Sequence, residues 1–139
     1  MTDTGTGKPM ALSGHCLCGG VHYRTRSLVR SAGHCHCESC RRAASSPVTT
    51  FFTVLREETE LGGDSLRYYA SSPGVRRGFC GTCGSPMSFE TERRANEIDL
   101  YVASLDAGLS VTIKEHWHWD EHVDWLTIVD DLPKGEGGA

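Results

Sequence analysis

Seven cysteines in a chain of 139 residues fall into three tight groups: Cys16-Leu-Cys18, Cys35-His-Cys37-Glu-Ser-Cys40 and Cys80-Gly-Thr-Cys83. Every cysteine belongs to a group, which random scatter rarely produces. Their number is odd, and the N-terminal stretch MTDTGTGKPMALSG has neither the basic start nor the apolar run of a secretion signal. A disulfide-stapled secreted domain is therefore a poor fit. A reducing, cytoplasmic setting is expected, where clustered thiols hold metal or do thiol chemistry.

The spacings are those of metal half-sites. In an extended C-x-C both side chains project to one face, because the strand period is two. In C-x-x-C a tight turn brings two sulfurs onto one ion, and Gly81 and Gly84 free the backbone to make it. Two half-sites build a closed, structural zinc site, and the outer groups supply one from Cys16, Cys18, Cys80 and Cys83. The central Cys35, Cys37 and Cys40 then offer three thiolates and one open position, the pattern of a catalytic zinc. Two zinc ions per chain are expected. Other arrangements stay open on spacing alone: Cys16, Cys18, Cys35 and Cys37 against Cys40, Cys80 and Cys83, a redox pair at 80–83, iron in place of zinc, or a histidine, His34 or His36, closing the second site. His36 sits between two ligands, so in an extended segment it faces away from them.

Composition narrows the class. With 38% hydrophobic and 23% charged residues the chain can build a core and is not a disordered polyelectrolyte. No apolar run approaches the ~18 residues of a membrane span. A net charge of −4 argues against a nucleic-acid surface. One domain is expected over residues 12–133, with a disordered leader at 1–11 and a frayed tail at 134–139. Within it, residues 20–25, 47–55, 65–70, 88–90, 97–103 and 125–129 read as short strands from their β-branched and aromatic content. Residues 38–45 carry the single helical signal.

Three segments, GHCLCGGVHY at 14–23, CHCESCRR at 35–42 and FCGTCGSPM at 79–87, resemble the glutathione-dependent formaldehyde-activating enzyme family, which includes the centromere protein V group. The likeness extends to the closing DDLP at 130–133. It implies a mainly β, antiparallel, zinc-stapled fold of the β-tent kind with short helical turns. It also implies a structural zinc on Cys16, Cys18, Cys80 and Cys83, and a catalytic zinc on Cys35, Cys37 and Cys40. The implied reaction is carbon–sulfur lyase chemistry, joining glutathione and formaldehyde in S-(hydroxymethyl)glutathione. Two segments depart from the family's pattern: Ala44-Ser45-Ser46 after the basic residues, and the His- and Trp-rich HWHWDEH at 116–122.

A small anionic thiol needs a cationic grip. Arg41 and Arg42, directly after Cys40, are the candidates for its carboxylates. Arg76 and Arg77 read as surface residues. One of Phe51 and Phe52 is expected in the core. Trp117, His118 and Trp119 are candidates for a pocket wall, and His122 for an ordinary surface histidine. From a different class, a non-catalytic zinc module that binds a partner protein or a small thiol fits the same cysteines.

Overall fold

The computed structural model describes residues 12–137, so the leader expected at 1–11 lies outside the described residues. Ten strands and one short helix follow in order: β1 (Leu12–His15), β2 (His22–Thr25), β3 (Ser31–Cys35), α1 (Glu38–Ala44), β4 (Thr49–Leu55), β5 (Thr59–Gly62), β6 (Leu66–Ser72), β7 (Val75–Cys80), β8 (Pro86–Thr91), β9 (Glu97–Tyr101) and β10 (Glu115–Trp117). Single 3-10 turns fill several connections. A small sheet runs β1-β2-β5, and a larger one runs β10-β3-β4-β9-β8-β7-β6. The strand pairs are antiparallel, as expected, except β10 on β3, which is parallel.

β4 organises the rest. Its sequence, TTFFTVL, favours a pleated strand, and it lies between β3 and β9. Alternation sends Phe52 and Val54 to one face, where they meet Val21, Tyr23, Met87, Ile98 and Leu100, all essentially inaccessible to solvent. That face closes against the small sheet. Phe51 points the other way, into a second cluster with Cys35, Cys40, Tyr101 and Trp117. Both phenylalanines are thus buried, one in each core, where the sequence suggested one. Full burial of such a ring stabilises by about 2–3 kcal/mol.

Two further expectations change. Residues 125–129 form no strand; Trp125 and Val129 are exposed. β-propensity expresses itself only where a partner edge is free, and β10 already pairs with the edge of β3. The tail is tied down over 134–137: the His118 and Trp119 N–H groups donate to the carbonyls of Gly137 and Gly135, and Lys134 bridges to His116.

Candidate metal centres and the triad cavity

The outer cysteine groups meet where the two sheets meet. Cys16 follows β1 and Cys18 lies in the turn to β2. Cys80 ends β7 and Cys83 lies in the turn to β8. Gly19 and Gly84 adopt φ of 83° and 81°, which lets each turn fold back at little steric cost. The four sulfurs lie within 4.8 Å of one another. Cys16 Sγ is 3.7 Å from Cys18 Sγ, which is 3.6 Å from Cys80 Sγ. A tetrahedron with zinc–sulfur bonds of about 2.3 Å has edges of about 3.8 Å, whereas a disulfide requires about 2.05 Å. The spacing fits a shared ion and not a disulfide. Backbone N–H groups of Val21, Gly20, Thr82 and Cys83 donate to these sulfurs, as thiolate ligands require. The Ser85 hydroxyl and N–H draw the Cys83 thiol down to about 5.

The central group stays together and separate. Cys35 ends β3, Cys37 caps α1 and accepts the Cys40 N–H, and Cys40 lies one turn into the helix. These three sulfurs also lie within 4.8 Å, with Cys35 and Cys37 3.6 Å apart. Hydrogen bonds from the Cys35 and Cys40 thiols hold Cys37 far below its ordinary value, while Cys35 and Cys40 are pushed up, so without an ion the cluster favours a single thiolate at Cys37. No histidine completes it. His34 bonds to Thr50, and buried His36 faces away, with Nε2 2.8 Å from His116 Nδ1. His116 Nε2–H in turn donates to Asp130 at 2.9 Å. Desolvation of His36 lowers its pKa to about 4, so this ring is a neutral imidazole.

In front of the triad opens a cavity of about 440 Å³. Cys35, Cys37 and Cys40 form its floor, Phe51, Phe89 and Trp117 its apolar walls, and Arg77, Arg93 and the Asp99-paired Arg94 its cations. His118 and Glu121 stand on the far side; His118 takes a left-handed φ of 57°, and Glu121 accepts the Glu38 N–H at the start of α1. Trp119 lies outside this cavity, stacked on exposed His122 at 4.0 Å. A second cavity of about 580 Å³ lies beside Cys16; among its lining residues His15 is the one ionisable side chain other than Cys16 and Tyr101.

Arg41 and Arg42 do not line the triad cavity. Arg41 Nε donates to the His36 carbonyl, and Arg42 pairs with Glu38 one helical turn away. Arg76 is half exposed over the Tyr68 ring, as a surface arginine should be. Arg77, expected beside it on the surface, is 9% exposed and points to the triad. The sequence signal that could have found Arg77 was the strand itself: with β7 recognised, neighbours 76 and 77 must face opposite sides.

A mainly β chain with one four-cysteine and one three-cysteine cluster, each able to hold a metal ion, is what fold and site define. Residues 11–122 match the glutathione-dependent formaldehyde-activating enzyme family, and the chain belongs to it. It is similar to an uncharacterized lyase of Schizosaccharomyces pombe, 33% identical over 76 residues, a match covering 55% of each chain. The chain thus spans about half the length of that relative. A crystal structure of a Rhodobacter sphaeroides protein shares the fold, with a TM-score of 0.59 and 23% identity over 70% of this chain and 90% of that one. Among the described residues no helix is long and apolar enough to cross a membrane.

Proposed function

We propose that this chain is a zinc-dependent carbon–sulfur lyase acting on a thiol–aldehyde adduct, with glutathione and formaldehyde as the substrates its family suggests. Cys16, Cys18, Cys80 and Cys83 would hold a structural zinc. Cys35, Cys37 and Cys40 would hold a catalytic one. A single observation carries the reading: among the described residues the triad has no fourth protein ligand and opens into a cavity, whereas the other cluster brings four cysteines together. Zinc held by three thiolates would lower the pKa of a thiol in its open position and is a weak Lewis acid, which favours thiol activation over hydrolysis.

The chain's own groups do the rest. Arg93 at the cavity rim has no carboxylate partner among the described residues and is placed to take a substrate carboxylate. That role replaces the one first given to Arg41 and Arg42. The walls of Phe51, Phe89 and Trp117 keep water from the reacting sulfur. The test is a metal count joined to exchange-sensitive NMR of glutathione with formaldehyde. The two-zinc protein should accelerate exchange and the Cys37→Ser variant should not. With cobalt in the triad, glutathione should change the thiolate-to-metal bands and its S-methyl analogue should leave them nearly unchanged. A fully loaded protein that does neither is a zinc-binding module for another partner.

A further inference from the structure

The Arg77 guanidinium is an unusual buried charge. It is 9% exposed, and no carboxylate among the described residues lies within ion-pairing distance of it. Nε donates to Ser71 Oγ at 3.2 Å and Nη2 to Ser39 Oγ at 3.4 Å. Nη1 donates to Cys40 Sγ at 3.6 Å. The remaining side of the group lies over the Phe89 ring, 4.9 Å from its centroid. Two other partly buried arginines differ, Arg94 being clamped by Asp99 and Glu97 and Arg56 by Glu90, while the less buried Arg41 donates Nε to the His36 carbonyl. An arginine cannot lose its proton, and a buried cation without a counter-charge is strongly unfavourable. The serine hydroxyls, the neutral Tyr101 phenol that also bonds to Arg77, and a ring face do not supply one. The partner left is sulfur: Cys40 directly, and Cys35 and Cys37 beside it.

We propose that Arg77 is the internal counter-ion of the three-cysteine site, and that its fixed charge sets how readily the site holds a metal and then an anionic thiol. The thiol part of this rests on the lyase reading above. A divalent ion on three thiolates carries one net negative charge, which Arg77 cancels. A fourth thiolate would then raise the local charge to −1 instead of −2. Without Arg77, each step would place an uncompensated charge in a site walled by Phe51, Phe89 and Trp117. Arg77 is thus a positioning residue: it acts through Cys40 and makes no bond of its own to the reacting carbon.

The test uses full-length protein loaded with cobalt, comparing wild type with Arg77→Met, Arg77→Gln and Arg77→Lys. Chelator competition measures the metal affinity of the triad, and the four-cysteine site in the same molecule is the internal control. Partners that orient metal ligands typically change affinity 10–100-fold. Arg77→Met and Arg77→Gln should weaken the triad's hold by about that factor and leave the four-cysteine site unchanged. Arg77→Lys keeps the charge and should recover most of the loss. If Arg77→Met holds cobalt as tightly as wild type, or Arg77→Lys falls as far as Arg77→Met, the counter-ion role is wrong. Glutathione titration is the second arm, with Arg77→Met expected to bind at least about tenfold more weakly. A wild-type cobalt site that ignores every thiol overturns the lyase reading, while the counter-ion role is then decided by the chelator arm alone.

Discussion

Replacing Cys80 with serine should unfold this protein, whereas replacing Cys37 should leave it folded. Cys80 Sγ is fully buried, accepts two backbone N–H groups and contacts Cys18 across the junction of the two sheets. Through it, chain segments 62 residues apart are joined. In the chain-entropy treatment of cross-links, closing a loop of that length is worth about 4 kcal/mol. Zinc binding to such a cluster supplies about 10–16 kcal/mol, comparable with the 5–15 kcal/mol total stability of a typical domain. Serine offers a harder, shorter ligand, so most of that contribution is lost. Cys37 is different. It is half-buried at the helix N-cap, where serine is itself a preferred residue and can accept the same Cys40 N–H. The fold should lose less than about 1 kcal/mol there, together with the second metal. Near-ultraviolet circular dichroism, guanidinium unfolding and zinc content read all three quantities on one sample. A Cys80→Ser protein that melts cooperatively within about 2 kcal/mol of wild type, or a Cys37→Ser protein that unfolds with it, refutes the division into structural and open sites.

Acid should weaken the fold through His36. Its folded pKa is depressed by burial to about 4, so the unfolded chain binds the extra proton. The contribution is whole above the ordinary value of about 6.5 and is lost as pH falls toward 4, by up to about 3 kcal/mol. NMR titration of the His36 ring should show it neutral at pH 5.5; a ring protonated there would remove the effect. Asp130→Ala strands the buried His116 Nε2–H and should cost about 1–3 kcal/mol in urea unfolding, with zinc content unchanged. Gly33→Ala drives a methyl group into the Trp117 indole. A loss of about 1–3 kcal/mol is expected, with a change in tryptophan emission as β10 is pushed from β3; unchanged emission and stability would show that Trp117 does not pack against Gly33.

Much of the site was written locally. Two cysteines at C-x-C or C-x-x-C spacing converge because strand and turn geometry act over two or three residues, so the half-sites, and the outward turn of His36, were legible in the chain. So were the strand read over 47–55 and the helix read over 38–45, which form over Thr49–Leu55 and Glu38–Ala44, where propensity and packing agree. Spacing alone favoured the meeting of the two outer half-sites but left another partition open; the closure of one sheet on another, some 60 residues away along the chain, brings Cys16, Cys18, Cys80 and Cys83 together. The sequence could not reveal that 125–129 lacks a free edge, nor that β10 runs parallel to β3. The arginines make the same distinction. Arg41 and Arg42 are adjacent to Cys40 in sequence, yet successive helical side chains diverge by about 100° and both turn to other partners. Arg77 is distant in sequence, and the pairing of β7 between β6 and β8 delivers it to Cys40. Proximity along the chain sets metal half-sites because bond geometry is short-ranged; the charge beside them is set by the sheet, because only tertiary packing excludes the water that would otherwise screen it.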